Sequence, residues 1–126
     1  MTAKVQLAIP NTRALPVLFT PTPHAAKRFV TFFTANIRNP NTRKAYTWAV
    51  AEFAAWCERH GLLSLPAIEP VHVATYVESL KGHLSPPSIK QHLAAIRMLF
   101  DWLVVGQVLP SNPASSVRGP KYSSKK

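Results

Sequence analysis

The sequence has 126 residues, 47% of them hydrophobic, which is enough for one modest core and leaves little room for a second domain. Fifteen Lys and Arg residues against five acids give a net charge of +10, which favours a polyanionic partner, with nucleic acid ahead of an anionic membrane surface. The single cysteine excludes an intramolecular disulfide, and the lack of a signal peptide or of an apolar run long enough to cross a membrane predicts a protein of the cytoplasm.

The first 23 residues contain four prolines and no sustained hydrophobic period. This composition predicts a flexible leader, residues 1–23, whose apolar side chains can dock locally. From His24 to Ile37 apolar residues recur at helical spacing, which predicts a short first helix. The inward positions are Ala26, Phe29, Val30, Phe33 and Ile37.

A second helix follows Asn39-Pro40, with Asn41 or Thr42 as its predicted N-cap and His60-Gly61 as its end. Its apolar stripe consists of Tyr46, Ala49, Val50, Phe53, Trp56 and Cys57. Glu69-Pro70 predicts the start of a third helix that stops near Gly82. The inward positions of this helix are Val73, Tyr76, Val77 and Leu80.

The fourth and longest predicted helix opens at Ser85-Pro86-Pro87-Ser88 and runs to about Val105, with Gly106 expected in the left-handed conformation. One face carries Ile89, Leu93, Ile96, Leu99, Phe100 and Leu103, and the other carries Lys90, Gln91, Ala94, Arg97 and Met98. Asn112-Pro113 predicts one short turn before a basic tail. Since no segment alternates with period two, we predict an all-α, four-helix bundle over residues 24–119, with a tail at 120–126.

Two helix starts carry unusual charge. Arg43 and Lys44 lie in the first turn of the second helix, and Lys90 and Gln91 lie near the start of the fourth, where acidic residues are the usual choice. A phosphate group would suit both places, because backbone N–H groups attract anions there. The alternative is that these are ordinary solvated residues with a small dipole cost.

The outward face of the fourth helix could read DNA. Ala94 is small enough to let the helix approach a groove floor, while Gln91 is suited to adenine and Arg97 to guanine or phosphate. From the residue pattern alone, an ordinary solvent-exposed face with no role in DNA reading is an equal alternative. Met98 and Trp102 on that side are apolar and point outward, so we expect them to pack against a tail or a partner domain.

No known catalytic motif appears, neither a glycine-rich phosphate loop nor paired acids beside a histidine. Cys57 and His60 share a helix face, but zinc needs further N or S ligands, so we predict no metal site, no cofactor and no small-molecule substrate. A buried thiol is the more common state of a free cysteine. His92 is expected to be packed at the edge of the apolar face.

Four segments in this order and spacing resemble the N-terminal, core-binding SAM-like domain of tyrosine recombinases, the phage integrase family. They are NTRKAYTWAVAEFAAWC, IEPVHVATYVESL, SPPSIKQHLAAIRMLFDWLV and SNPASSVRGPK, within which AAWC and IKQHL resemble recombinases of the Cre type. The resemblance implies a four-helix domain that forms half of a C-shaped clamp on double-stranded DNA, with two helices facing the major groove. By position, the implied DNA-binding residues are Thr42, Arg43, Lys44, Ser88, Lys90, Gln91 and Arg97.

The catalytic residues of that family lie in a C-terminal domain and include an H-x-x-R pattern that is absent here. Tyr122 lies in the tail and is not expected to be the nucleophile. The resemblance therefore implies no DNA cleavage by this chain alone, and a catalytic domain or other recombinase protomers as partners. Two alternatives of other kinds stay open: a small helical protein–protein interaction module and a standalone DNA-binding regulator.

Overall fold

The computed structural model of the protein describes residues 16–120, which form four α-helices with short connections and no strand. The helices are α1 (Pro23–Thr31), α2 (Pro40–Arg59), α3 (Pro70–Leu80) and α4 (Pro86–Val105). The predicted all-α class and the number of helices are confirmed. The first predicted helix differs in detail, because α1 ends at Thr31 and a π-helical turn, Phe32–Asn36, continues the chain to Ile37.

Every helix begins with a proline, a residue that fits the first helical position because the N–H it lacks would have no intrahelical partner there. The residue before each proline is extended, as steric contact with the proline ring requires. The cap of α2 is therefore Asn39 and not Asn41 or Thr42 as predicted. Its Oδ1 accepts hydrogen bonds from the N–H groups of Asn41 at 2.8 Å and Thr42 at 3.1 Å.

The end of α4 also differs from the prediction. Gly106 has φ −81°, and the left-handed residue is Gln107 with φ 64°. The N–H of Val108 donates to the Leu103 carbonyl at 2.8 Å, which closes a Schellman motif with Gln107 at the C′ position. Gly106 is required for a different reason, since a Cβ atom there would overlap the side chain of Arg28.

An aromatic cluster joins the chain segments at the centre of the core. Phe19 stacks on Phe29 of α1 with ring centres 5.3 Å apart, and it lies 6.0 Å from Phe100 of α4. Phe53 of α2 meets Phe100 from another direction at 6.2 Å. Phe19 belongs to the predicted leader, of which residues 1–15 lie outside the described part of the chain. Its described end is packed, so the structural unit begins before the predicted boundary at residue 24.

The connection between α1 and α4 is made by Arg28 and Trp102. The Trp102 indole N–H donates to the Arg28 carbonyl at 2.8 Å, and the Arg28 guanidinium lies 3.8 Å from the centre of the indole ring. Trp102 is therefore half-buried beneath α1, which corrects the prediction that it faces outward. Met98 does face outward and is 41% exposed. Of the two residues predicted to pack against a tail or a partner domain, Trp102 is thus covered by α1 and Met98 is not.

The chain after α4 turns back along that helix. The predicted turn at Asn112 is present, with the N–H of Ser115 donating to the Asn112 carbonyl at 3.3 Å. Ala114 and Val117 are buried, so residues 112–119 form a packed segment that we call the C-terminal strap. Residues 121–126, most of the predicted tail, lie outside the described part of the chain.

Candidate nucleic-acid interface

Helices α2 and α4 run side by side in the same direction. Trp48 and His92, in the first halves of the two helices, have ring centres 5.0 Å apart, and Phe53 and Phe100, in the second halves, have ring centres 6.2 Å apart. The two starts that the sequence singled out therefore lie at the same end of the bundle. Nothing in the sequence pattern specified this, since the direction of neighbouring helices is a property of the topology.

The first-turn N–H groups of these helices are not available to an anion. In α2, Pro40 has no N–H, and the cap Asn39 binds the two that follow. In α4, Pro86 and Pro87 have none, and the Ser88 N–H donates to the Ser85 hydroxyl at 3.4 Å. The predicted phosphate contact through backbone N–H groups is thus not supported. Any anion at this end must be bound by side chains, with the helix dipoles adding a favourable field.

The two cations at the start of α2 have different surroundings. Lys44 is exposed. Arg43 is half-buried, and its Nε and Nη2 donate to the Ile37 carbonyl at 3.2 and 2.7 Å. Arg43 thereby satisfies a carbonyl at the end of the π-helical turn and fixes the angle between α1 and α2. Thr42, one residue earlier, is half-buried.

At the start of α4, Lys90 and Gln91 are exposed and Ser88 is half-buried. The Ser85 hydroxyl donates to the Ser88 hydroxyl at 3.1 Å, so Ser88 belongs to the helix cap. The strap reaches this region as well, because a Cβ atom on Gly119 would come 3.4 Å from Cγ of Lys90. The aliphatic stem of Lys90 therefore lies along the strap.

Arg97 is not an outward-facing residue as predicted. Its Nε donates to the Ala114 carbonyl at 3.2 Å, and its Nη2 donates to the Val117 carbonyl. Asn112 adds a bond from its side-chain amide to the Arg97 carbonyl at 3.1 Å. The strap covers this part of α4, and Arg97 is the side chain that holds it. The wheel of an isolated helix cannot show this, because the covering segment comes from elsewhere in the chain.

Charge is distributed unevenly along the two helices. Residues 39–51 and 85–100, which include the first halves of α2 and α4, contain no acid. The acids of these helices are Glu52, Glu58 and Asp101, all further along. Glu78 lies at the end of α3 and is paired with Lys81 at 3.1 Å. The shared end of α2 and α4 therefore carries Lys44 and Lys90, and the first acid along α2 is Glu52.

His92 is buried beside this end, with only 4% of its surface exposed, which confirms that it is a packed histidine. Its Nδ1 lies 3.4 Å from the Tyr76 hydroxyl. Burial lowers the pKa of His92, and the nearby Glu52 carboxylate opposes that change less strongly. Burial thus favours the neutral imidazole, whose ring contacts Trp48 and Tyr76.

Trp48 is the residue that the sequence analysis missed. It lies outside the apolar stripe of α2 and is 53% exposed, while its ring is perpendicular to that of His92. A signal was available, because Trp48 follows Lys44 by one helical turn and so shares its face. The interface thus contains one large apolar group among polar ones.

The Cys57 and His60 side chains make their contacts in the core and along α2. Cys57 is fully buried, and burial raises the pKa of its thiol to about 12. His60 stacks on Trp56 at 4.2 Å, and its Nδ1 lies 2.8 Å from the Trp56 carbonyl. Residues 16–120 contain no group of three or more His, Cys, Asp and Glu side chains that could hold a metal ion. Within the same range, the helices are too short or too polar to cross a membrane.

Comparison with known proteins gives two matches. Residues 24–108 match the family described as phage integrase, N-terminal SAM-like domain. Over 84 residues the chain is 33% identical to "Tyrosine recombinase XerC" of Salmonella typhi. The match covers 66% of this chain and 28% of that relative. No solved structure matches significantly.

Proposed function

The chain belongs to the family of N-terminal SAM-like domains of phage integrases, and we propose that it binds double-stranded DNA through the shared end of α2 and α4. The observation that carries this proposal is the parallel packing of two helices whose first halves contain Lys44 and Lys90 but no acid. We define the docking face by Thr42, Lys44, Ser88, Lys90 and Gln91.

Each residue of the docking face has a chemical role in the proposal. Lys44 and Lys90 bind phosphate oxygens, and the hydroxyls of Thr42 and Ser88 donate to further ones. Gln91 is exposed on the first half of α4 and reaches a base edge, for which adenine offers the matching donor and acceptor pair. Phosphate contacts position the domain, and the base contact adds selectivity.

Arg43 and Arg97 act indirectly in this proposal. Each guanidinium donates to backbone carbonyls, Arg43 to Ile37 and Arg97 to Ala114 and Val117. Arg43 sets the start of α2, and Arg97 holds the strap against α4. They are positioning residues, in contrast to the direct DNA contacts that their positions implied in the sequence.

We further propose that binding serves site-specific recombination in the cytoplasm. The matched relative is named a tyrosine recombinase, and this chain spans little more than a quarter of it. Strand cleavage is assigned to a catalytic domain or to other recombinase protomers, with this chain supplying DNA binding and no chemistry. The protein-module alternative is weakened, because Trp102, which the sequence predicted to face outward beside Met98, packs under α1.

The proposal is tested by fluorescence anisotropy of a labelled duplex of about 30 base pairs at several salt concentrations, because the slope of log K against log salt counts the phosphates neutralised. We expect a slope equivalent to about four or more phosphates. Replacing both Lys44 and Lys90 by Gln should reduce the magnitude of that slope by roughly 1.8.

The matched control is Lys27→Gln with Arg59→Gln. It removes the same charge from exposed positions in α1 and at the far end of α2. This control should leave the slope nearly unchanged. If the control pair lowers the slope as much as the pair on the docking face, binding follows net charge and the assigned face is wrong. No binding at low salt would reject DNA binding itself.

A further inference from the structure

Trp48 is unusual among the large side chains of α2. Phe53 and Trp56 of the same helix are buried, whereas Trp48 is 53% exposed. Its orientation is nevertheless fixed, because the ring stands perpendicular to the buried His92 ring at 5.0 Å. The indole therefore contacts one buried ring and is open to solvent over about half of its surface.

The surroundings of Trp48 are those of the docking face. The exposed Glu52 lies one turn after Trp48 on α2. Lys44 lies one turn earlier on the same side, and Gln91 precedes His92 on α4. Both side chains are exposed. An exposed indole thus lies one helical turn from a cation suited to phosphate, and it packs against the residue that follows an amide suited to a base edge.

Such a surface has a specific counterpart in duplex DNA. The edges that bases present in the major groove are polar, with one apolar feature, the C5-methyl group of thymine. A ring on the same face as base-reading and phosphate-binding groups could meet that methyl when the face lies in the groove. Removal of both apolar surfaces from water would favour the contact.

We infer that Trp48 contacts the thymine methyl group in the major groove, and that it gives the protein a preference for sites with thymine at one position. This inference rests on the proposed DNA binding and adds a chemical feature of the ligand to it. Gln91 and Trp48 would then read an adenine and a thymine from two neighbouring helices.

The test compares two duplexes of mixed A·T pairs, identical except that deoxyuridine, which lacks the methyl group, replaces every thymine in one of them. Anisotropy at fixed salt should give about fourfold tighter binding to the thymine duplex, the effect of burying one methyl group. Trp48→Ala should bind both duplexes equally. Trp48→Phe keeps a ring on His92 and should retain part of the preference.

Val105→Ala is the matched control, because Val105 is 76% exposed at the opposite end of α4. It should keep the full preference. Circular dichroism of each variant establishes that the helices are retained. Equal binding of both duplexes by the wild type, or an unchanged preference in folded Trp48→Ala, overturns the inference while DNA binding stands. If neither duplex binds at low salt, the proposed function fails and the inference fails with it.

Discussion

Arg28 and Trp102, 74 residues apart in sequence, each donate a hydrogen bond to the other's backbone carbonyl. The Arg28 guanidinium also lies over the Trp102 indole, 3.8 Å from its centre. Two side chains that a helical wheel places on polar or outward faces therefore hold α1 against α4. The same contact explains Gly106, since the Arg28 side chain occupies the space that a Cβ there would need.

We expect Trp102→Phe to lower the free energy of unfolding by about 1 kcal/mol, because it keeps a ring under Arg28 but removes the indole hydrogen bond to the Arg28 carbonyl, which then accepts only from the Phe32 N–H. Urea unfolding followed by circular dichroism measures the change. Met98→Ala, at an exposed position on the same helix, should stay within about 0.5 kcal/mol of the wild type. Equal losses in the two variants would show that the indole hydrogen bond contributes nothing.

The role of Arg97 can be separated from DNA contact. Arg97→Met removes the hydrogen bonds to Ala114 and Val117, so we expect a loss of about 2 kcal/mol in the free energy of unfolding. The salt slope of DNA binding should not change, whereas Lys44→Met should reduce its magnitude by about 0.9. If Arg97→Met decreases the salt slope by a comparable amount, Arg97 contacts a DNA phosphate directly, as the sequence predicted.

Stability should depend on pH through His92. Burial lowers the folded-state pKa of His92 below its usual 6.5, against the weaker opposing effect of Glu52, so the unfolded chain takes up a proton first as pH falls. The contribution of His92 is fully present above pH 6.5 and is lost as pH falls below that value toward the folded-state pKa.

Urea unfolding between about pH 5 and pH 8 measures this dependence, which for one proton cannot exceed about 1.4 kcal/mol per pH unit. His92→Gln should flatten the profile in that window. His83→Gln, at an exposed position, controls for the loss of a histidine. A His92→Gln profile that still matches the wild type would assign the pH dependence to other groups.

Two substitutions at the end of α4 should have opposite signs. Gln107 holds a left-handed conformation with φ 64°, so Gln107→Gly should raise the free energy of unfolding by up to about 1 kcal/mol. Gly106→Ala should lower it, because the new methyl group displaces the Arg28 side chain. Thermal unfolding of the two variants and the wild type measures both changes. If Gly106→Ala proves the more stable of the two variants, the Arg28 side chain does not occupy the space beside Gly106.

The fold was predictable where local chemistry decides it. Four prolines at helix starts and clear apolar periods define the four helices. The misjudged details are the end of the first helix, the N-cap of α2 and the left-handed residue after α4. The candidate site was predictable only in part. The wheel identified the exposed residues Lys44, Lys90 and Gln91, but it could not show that the strap covers Arg97 or that α1 covers Trp102. Those contacts span long stretches of chain, and periodicity carries no information about them.

The pairing of α1 with α4 also has a consequence for synthesis. The ribosome completes α1 first, yet Arg28 finds its partner only after 74 further residues have been added. At usual elongation rates of about 5–20 residues per second, that interval is roughly 4–15 seconds. During this time Phe29 and its neighbours lack their final packing and are accessible to chaperones or to other nascent chains. We therefore expect α1 to be among the last of the four helices to dock.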